Sequence, residues 1–191
     1  MTPDVSVAAK LASRLGLVAV HLADIYARFV APIQGLGGLS WSLDPVIVRW
    51  NFDEGLLKVV VPFSISVAMV EGDNINKVVE IGTIFRLDYV RPTELQASSD
   101  EVSHFAGVHG VMHSWPYFRS EVQALTAKME LPSLTLPPLL SGRLSEFVSV
   151  EAMRASSLAP AFANDSSVAE PAPSAPAKPL RKPKRRSRLN D

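Results

Sequence analysis

The 191-residue chain has no cysteine, which excludes disulfides, thiol catalysis and thiolate metal sites. It also lacks any apolar run near the ~20 residues of a membrane-spanning helix. Signatures of nucleotide and acyl chemistry are missing as well. Gly35-Leu-Gly-Gly has neither the lysine nor the strand-to-helix setting of a P-loop, and no Gly-x-Ser-x-Gly occurs. His109 and His113 stand four apart, a spacing able to chelate zinc on a helix. No glutamate follows His109, however, and no cysteine or fixed acid completes the set. A packed histidine pair is therefore expected, with no metal, no cofactor and no enzyme activity. The amino-terminal stretch places Asp4 ahead of any basic residue and Arg14 within it, unlike a secretory signal. A soluble, cytoplasmic protein is expected.

The formal net charge is zero, but the two signs are segregated. Residues 1–177 hold 12 Lys/Arg against 18 Asp/Glu and carry −6, while residues 178–191 hold seven against one and carry +6. From about Ser156 the composition turns to Ala, Pro and Ser, and Glu170-Pro-Ala-Pro-Ser-Ala-Pro-Ala-Lys-Pro reads as a linker that cannot bury a core. Lys178, Arg181, Lys182, Lys184, Arg185, Arg186 and Arg188 then form a solvated basic cluster. It is able to grip phosphates, anionic lipid or an acidic protein, or to serve only as a solubilising tail. No aromatic interleaves it, so base stacking is not implied. The expected organisation is an N-terminal segment 1–14, a folded domain 15–156, and a disordered linker and tail 157–191.

The body reads as strands first and helices second. Residues 15–30 are rich in Val, Ile, Tyr and Phe and are closed by Pro32 and Gly35-Leu-Gly-Gly. A second run, 39–52, carries Trp41, Leu43, Val46, Val48 and Trp50, and Asp53-Glu54-Gly55 reads as a hairpin turn. In the third run Leu57, Val59, Val61, Phe63, Ile65, Val67 and Met69 take every odd position, so one sheet face is apolar throughout. Pro62 suggests a bulge or an edge there. A fourth strand is expected over 77–89. The reading is α+β: a four-stranded antiparallel meander with helices packed on one face.

A first helix is expected over 98–114, capped by Ser98 or Ser99, with Asp100 and Glu101 favoured in its first turn. A second starts at Ser114 as N-cap with Pro116 in its first turn. It presents Phe118, Val122, Leu125 and Met129 as one stripe and ends at Leu131-Pro132. The next residues, Leu-Pro-Ser-Leu-Thr-Leu-Pro-Pro-Leu-Leu, are too rich in proline for a central strand and read as an extended connector. Its leucines either cover an apolar groove or pack as ordinary core. A last helix is expected over 144–156.

Trp115-Pro-Tyr-Phe-Arg-Ser-Glu-Val, followed by Leu131-Pro-Ser-Leu-Thr-Leu-Pro-Pro-Leu, resembles the carboxy-terminal half of the SecB-type export chaperones. That family runs a Phe-Pro-Tyr-Ala-Arg-Glu helix into a Phe-Pro-x-Leu-x-Leu-x-Pro segment. Phe29-Val-Ala-Pro32 resembles its Phe-Glu-Ala-Pro, and Thr83-Ile-Phe85 its Gly-Ile-Phe. The similarity runs from about Val18 to Leu140. It implies a SecB-like fold, a dimer-of-dimers homotetramer, and ATP-independent binding of unfolded polypeptides under a lid. At such a groove the resemblance places Trp41, Phe118, Leu134, Leu136, Leu139 and Phe147. Replacing Leu134 and Leu136 together with serine is then expected to abolish aggregation suppression and leave the oligomer intact.

The departures bear on partners. Where the family carries acids that help dock the translocation motor SecA, this chain has Tyr26 and Val30. A further acid falls on Val78, or on Glu80 if a gap is allowed. The acidic C-terminal end is replaced by a basic one, a poor electrostatic match to a partner that expects acid. Binding of clients therefore carries over better than delivery to SecA. A nucleic-acid- or ribosome-associated module acting through the basic tail is the alternative, and a chaperone dedicated to one client, such as an antitoxin, is a third reading.

Overall fold

A computed structural model describes residues 1–32, 38–71, 74–90, 92, 96–132 and 134–153. The expected linker, tail and basic cluster of 157–191 lie outside the described residues. The elements are α1 (Val5–Ala12), β1 (Gly16–Phe29), β2 (Gly38–Leu43), β3 (Val46–Asp53), β4 (Leu56–Glu71), β5 (Asn74–Val90), α2 (Ser99–Phe105), α3 (Val111–Lys128), α4 (Leu144–Phe147) and β6 (Val148–Ala152).

The mixed α+β class holds, but the sheet has six strands in the order β1-β5-β4-β3-β6, with β2 also paired to β4. The expected meander is corrected at two places. First, residues 39–52 form two strands, broken at Asp44-Pro45. Pro45 has no donor for a ladder, and the break is pinned by Asp44 N–H on the Ser64 carbonyl (2.9 Å) and Ser64 Oγ on the Asp44 carboxylate (2.7 Å). Second, β1 pairs with β5 rather than with its successor. One side of β4 is taken by β5 along its whole length and the other by β3 and β2 end to end, so the outer side of β5 is left for β1.

Pro62 sits neither at a bulge nor at a sheet edge. It lies in the interval of β4 between the stretches paired with β3 and with β2. Ser64 turns its carbonyl toward that side. Two residues earlier Pro62 points the same way, so its missing N–H falls in the gap. The odd-numbered β4 residues from Leu57 to Met69 are all buried, as their alternation implies.

The two expected helices are one run from Ser99 to Lys128, joined by a π-helical turn at Ala106–Gly110. Ser98 does form a capping box with Glu101. Ser114 is not a cap: it is fully buried mid-run, and its hydroxyl donates to the Gly110 carbonyl at 2.7 Å. Pro116 is therefore inside α3. Its lost bond would have gone to Met112, and both residues lie on the exposed face where water can meet that carbonyl. Glycines explain the merged run. A Cβ on Gly107 would stand 2.6 Å from Val150 Cγ2 and one on Gly110 2.8 Å from Val59 Cγ1, so the turn lies directly on the sheet and its neighbours.

α3 ends as a Schellman motif, with Glu130 N–H on the Ala127 carbonyl and Leu131 N–H on that of Thr126. Glu130 takes the left-handed position at φ 58° that glycine usually fills. The expected helix over 144–156 is also corrected. It lasts one turn, α4, and then Val148 and Val150 alternate with polar neighbours and enter the sheet parallel to β3. Residues 1–14 are ordered: Asp4 caps α1, Ala8 and Leu11 are buried, and the Met1 carbonyl accepts the Val150 N–H at 2.8 Å.

Candidate functional site

The proline-rich connector 131–140 cannot hold itself by backbone ladders, because Pro132, Pro137 and Pro138 have no N–H. Side chains of α3 hold it instead. Leu134 N–H donates to Thr126 Oγ1 (3.3 Å), Arg119 Nε donates to the Leu136 carbonyl (2.7 Å), and Trp115 Nε1 donates to the Pro137 carbonyl (3.1 Å). Trp115, Arg119 and Thr126 are spaced four and seven apart, which places them on one helical stripe. Arg119 falls off the apolar stripe of Phe118, Val122, Leu125 and Met129, where a wet position is expected. Its exposure is intermediate because its guanidinium turns onto the connector.

This tethering sorts the six expected groove residues into two groups. Phe118 and Leu136 are both 0% exposed and present no surface in this conformation. Phe118 stacks on Phe63 at 4.6 Å between centroids, beside Trp115. Leu136 is a peg between the connector and the core. Trp41, Leu134, Leu139 and Phe147 instead line two apolar clefts that meet at Trp41. The smaller, about 190 Å³, adds Leu39, Val67 and Leu131. The larger, about 460 Å³, adds Leu43, Trp115 and Leu140, with Arg143 and Glu146 at its rim. Arg143 binds Glu146 at 3.0 Å, so the rim charges neutralise each other. Leu39 and Leu43 escaped notice as site residues, although Leu39, Trp41 and Leu43 alternate with two serines and so mark one apolar side of β2.

The opposite face of the sheet carries paired charges. Burial alone would raise the Glu80 carboxyl, yet Arg28 and Lys77 hold it below its ordinary value, at 2.7 and 3.5 Å. Val78 is buried and Val30 is exposed. The Tyr26 ring lies over Gly82, with the Arg28 guanidinium 5.8 Å from its centroid. On the helices, His109 stacks on Phe105 at 4.7 Å, and His113 Nδ1 lies 3.0 Å from the Tyr89 hydroxyl. Burial pushes both rings below the ordinary histidine value and raises that of the Tyr89 hydroxyl, so Tyr89 and His113 share a hydrogen bond between neutral groups. Among the described residues no group of three or more His, Asp or Glu could hold a metal ion. Nor is any described helix long and apolar enough to cross a membrane.

No family model matches the chain, and no curated protein matches it. Among solved structures it is similar to the Mycobacterium tuberculosis SecB-like chaperone Rv1957, solved in complex with a ChAD peptide from the Rv1956 HigA1 antitoxin. The TM-score is 0.60 at 22% identity, over 71% of this chain and 97% of that one. The fold is SecB-like. A Streptococcus agalactiae protein of unknown function aligns far more loosely, with a TM-score of 0.31 at 12% identity over 64% of this chain and 96% of its own. Within the SecB-like fold of this chain, the clefts around Trp41 lie between β2 and the proline-rich connector, and their walls are mostly apolar side chains.

Proposed function

We propose that this SecB-like chain is a chaperone that holds unfolded polypeptide in the apolar clefts on either side of Trp41, without nucleotide and without covalent chemistry. The observation that carries the reading is the half-open apolar surface of Trp41, Leu134, Leu139 and Phe147, kept accessible by a connector that α3 side chains hold in place. Burying such surface is favourable for almost any apolar segment, so binding tolerates many sequences. The Mycobacterium tuberculosis structure, a SecB-like chaperone with a peptide bound, supports the same reading.

A client of one kind, an antitoxin, is the second reading, favoured by the antitoxin peptide in that structure. Delivery to SecA is the less supported branch. Tyr26 and Val30 stand where acids are expected, and Glu80 is already engaged by Arg28 and Lys77. Assembly as a dimer of dimers is supported by apolar side chains exposed on β1 and α3, among them Val18, Leu22, Phe29 and Tyr117. The basic cluster 178–188 addresses an anionic partner such as RNA, ribosome or lipid, separately from the groove.

Wild-type protein should keep a chemically denatured protein soluble in the absence of nucleotide. Trp41→Ser with Phe147→Ser should lose most of that activity with an unchanged far-UV spectrum and oligomer mass. Full activity in the double variant would refute the groove assignment, and inactive wild-type protein would refute the chaperone reading.

A further inference from the structure

The helical run carries a histidine pair that the groove does not use. His109 lies in the π-helical turn and His113 in the first turn of α3, with ring centroids 5.6 Å apart. Both rings are half-buried and open on the side of the run where Met112, Pro116 and Tyr117 are exposed. Trp115, which grips the connector, stands two residues past His113, roughly 200° round the helix. The pair therefore sits on the far side of the run from the clefts. Isolated π-helical turns frequently mark functional positions.

Each ring is held from behind. His109 stacks on Phe105, with centroids 4.7 Å apart and an angle of 25° between the planes. His113 meets the Tyr89 hydroxyl through Nδ1 at 3.0 Å, and Tyr89 is 0% exposed. A ring that gives its Nδ1 proton to a fixed oxygen keeps the Nε2 lone pair for another partner, which is how metal-binding histidines are oriented. No described residue hydrogen-bonds that Nε2 or either nitrogen of His109. The other two histidines are committed elsewhere: His104 Nδ1 accepts the Asp4 N–H at 2.9 Å, and His21 lies 3.4 Å from the Asp88 carboxylate.

We propose that His109 and His113 chelate a divalent transition-metal ion such as zinc, through one imidazole nitrogen each. A Zn–N bond of ~2.1 Å puts the ion ~3.2 Å from a ring centroid, so rings 5.6 Å apart subtend roughly 120° at it, near the tetrahedral angle. Imidazoles select zinc, copper or nickel over magnesium and calcium, which take oxygen ligands. Among the described residues no third His, Asp or Glu joins the pair. That rules out a closed structural site on this chain and leaves an open, exchangeable one. The remaining positions fall to water or, where copies of the chain meet on this face, to the same pair of a second copy.

The test titrates the metal-free full chain with Zn2+ against a chromophoric chelator. Half of a four-ligand site implies a dissociation constant of roughly 1–100 µM. His109→Gln and His113→Gln should each weaken binding by about tenfold or more, and His21→Gln should leave it unchanged. Tyr89→Phe keeps the ring in the core and removes only the orienting hydroxyl, so binding about tenfold weaker is expected. Zn2+ should raise the urea midpoint of the wild type and not that of His113→Gln, which separates chelation from packing. Far-UV spectra check that each variant is folded. Wild-type affinity in either His109→Gln or His113→Gln overturns the proposal, as does an equal loss in His21→Gln. Unchanged affinity in Tyr89→Phe overturns the orienting role of its hydroxyl. The site does not depend on the chaperone reading, and His113→Gln should suppress aggregation as the wild type does.

Discussion

Replacing Leu136 with alanine should damage the whole fold, and the size of the effect follows from how its site is built. The side chain is 0% exposed, its own carbonyl is gripped by Arg119 at 2.7 Å, and the next carbonyl by Trp115 at 3.1 Å. Leucine-to-alanine changes in cores cost about 2–5 kcal/mol, and the value depends on how far the surroundings can collapse into the space left. Here Pro137-Pro138 stiffen the connector and two tethers fix it, so little collapse is available. The upper half of that range is expected, about 3–5 kcal/mol. For a domain of this size, ~3 °C per kcal/mol translates that into a Tm lower by roughly 10–15 °C. Urea unfolding at fixed protein concentration, followed by the buried Trp50 and Trp115, measures it directly. Leu139→Ala, at a half-buried position on the cleft, should cost about 1 kcal/mol or less and serves as the comparison. If the two variants unfold within about 0.5 kcal/mol of each other, the connector is not built into the core and the reasoning fails. The paired serine substitution at 134 and 136 suggested by sequence therefore mixes a groove residue with a core residue. Loss of activity there would say nothing specific about client contact.

Two further outcomes follow from the helices. Both His109 and His113 have folded pKa values below the ordinary 6.5, because burial disfavours the charged ring. The unfolded chain then binds more protons just under pH 6.5, so stability is complete above that value and falls as the pH drops through it toward the folded values. Urea midpoints between pH 7.5 and 5 should show this slope, and the double change to glutamine should flatten it; an unaltered slope would refute the assignment. Gly107→Ala should destabilise by about 1–3 kcal/mol, although alanine is the better helix former by ~1 kcal/mol, because its Cβ would meet Val150 and Pro3. A raised urea midpoint would show that the π-helical turn is not pressed on its neighbours as described.

Local pattern alone was enough for much of the fold. The period-two run of β4, the Asp53-Glu54-Gly55 turn, the Ser98 cap and the amphipathic stripe of α3 depend on neighbours close in sequence, and each reads directly from residue order. That Trp41, Leu134, Leu139 and Phe147 line the clefts was legible through the family resemblance rather than from local pattern. The particular burial of Phe118 and Leu136 was not, since an exposed and a buried leucine look alike until their partners are known.

What the sequence by itself determined was therefore the class of structure, an apolar-faced sheet followed by a long amphipathic helix and a connector unable to ladder. Tertiary structure alone decided which strand β1 joins, that Ser114 lies inside a helix, that 148–152 is a strand, and that Arg119 faces the connector. The physical reason is common to all four. Each depends on which backbone edge or side-chain space is still unoccupied once the other elements have packed, and no local pattern records that.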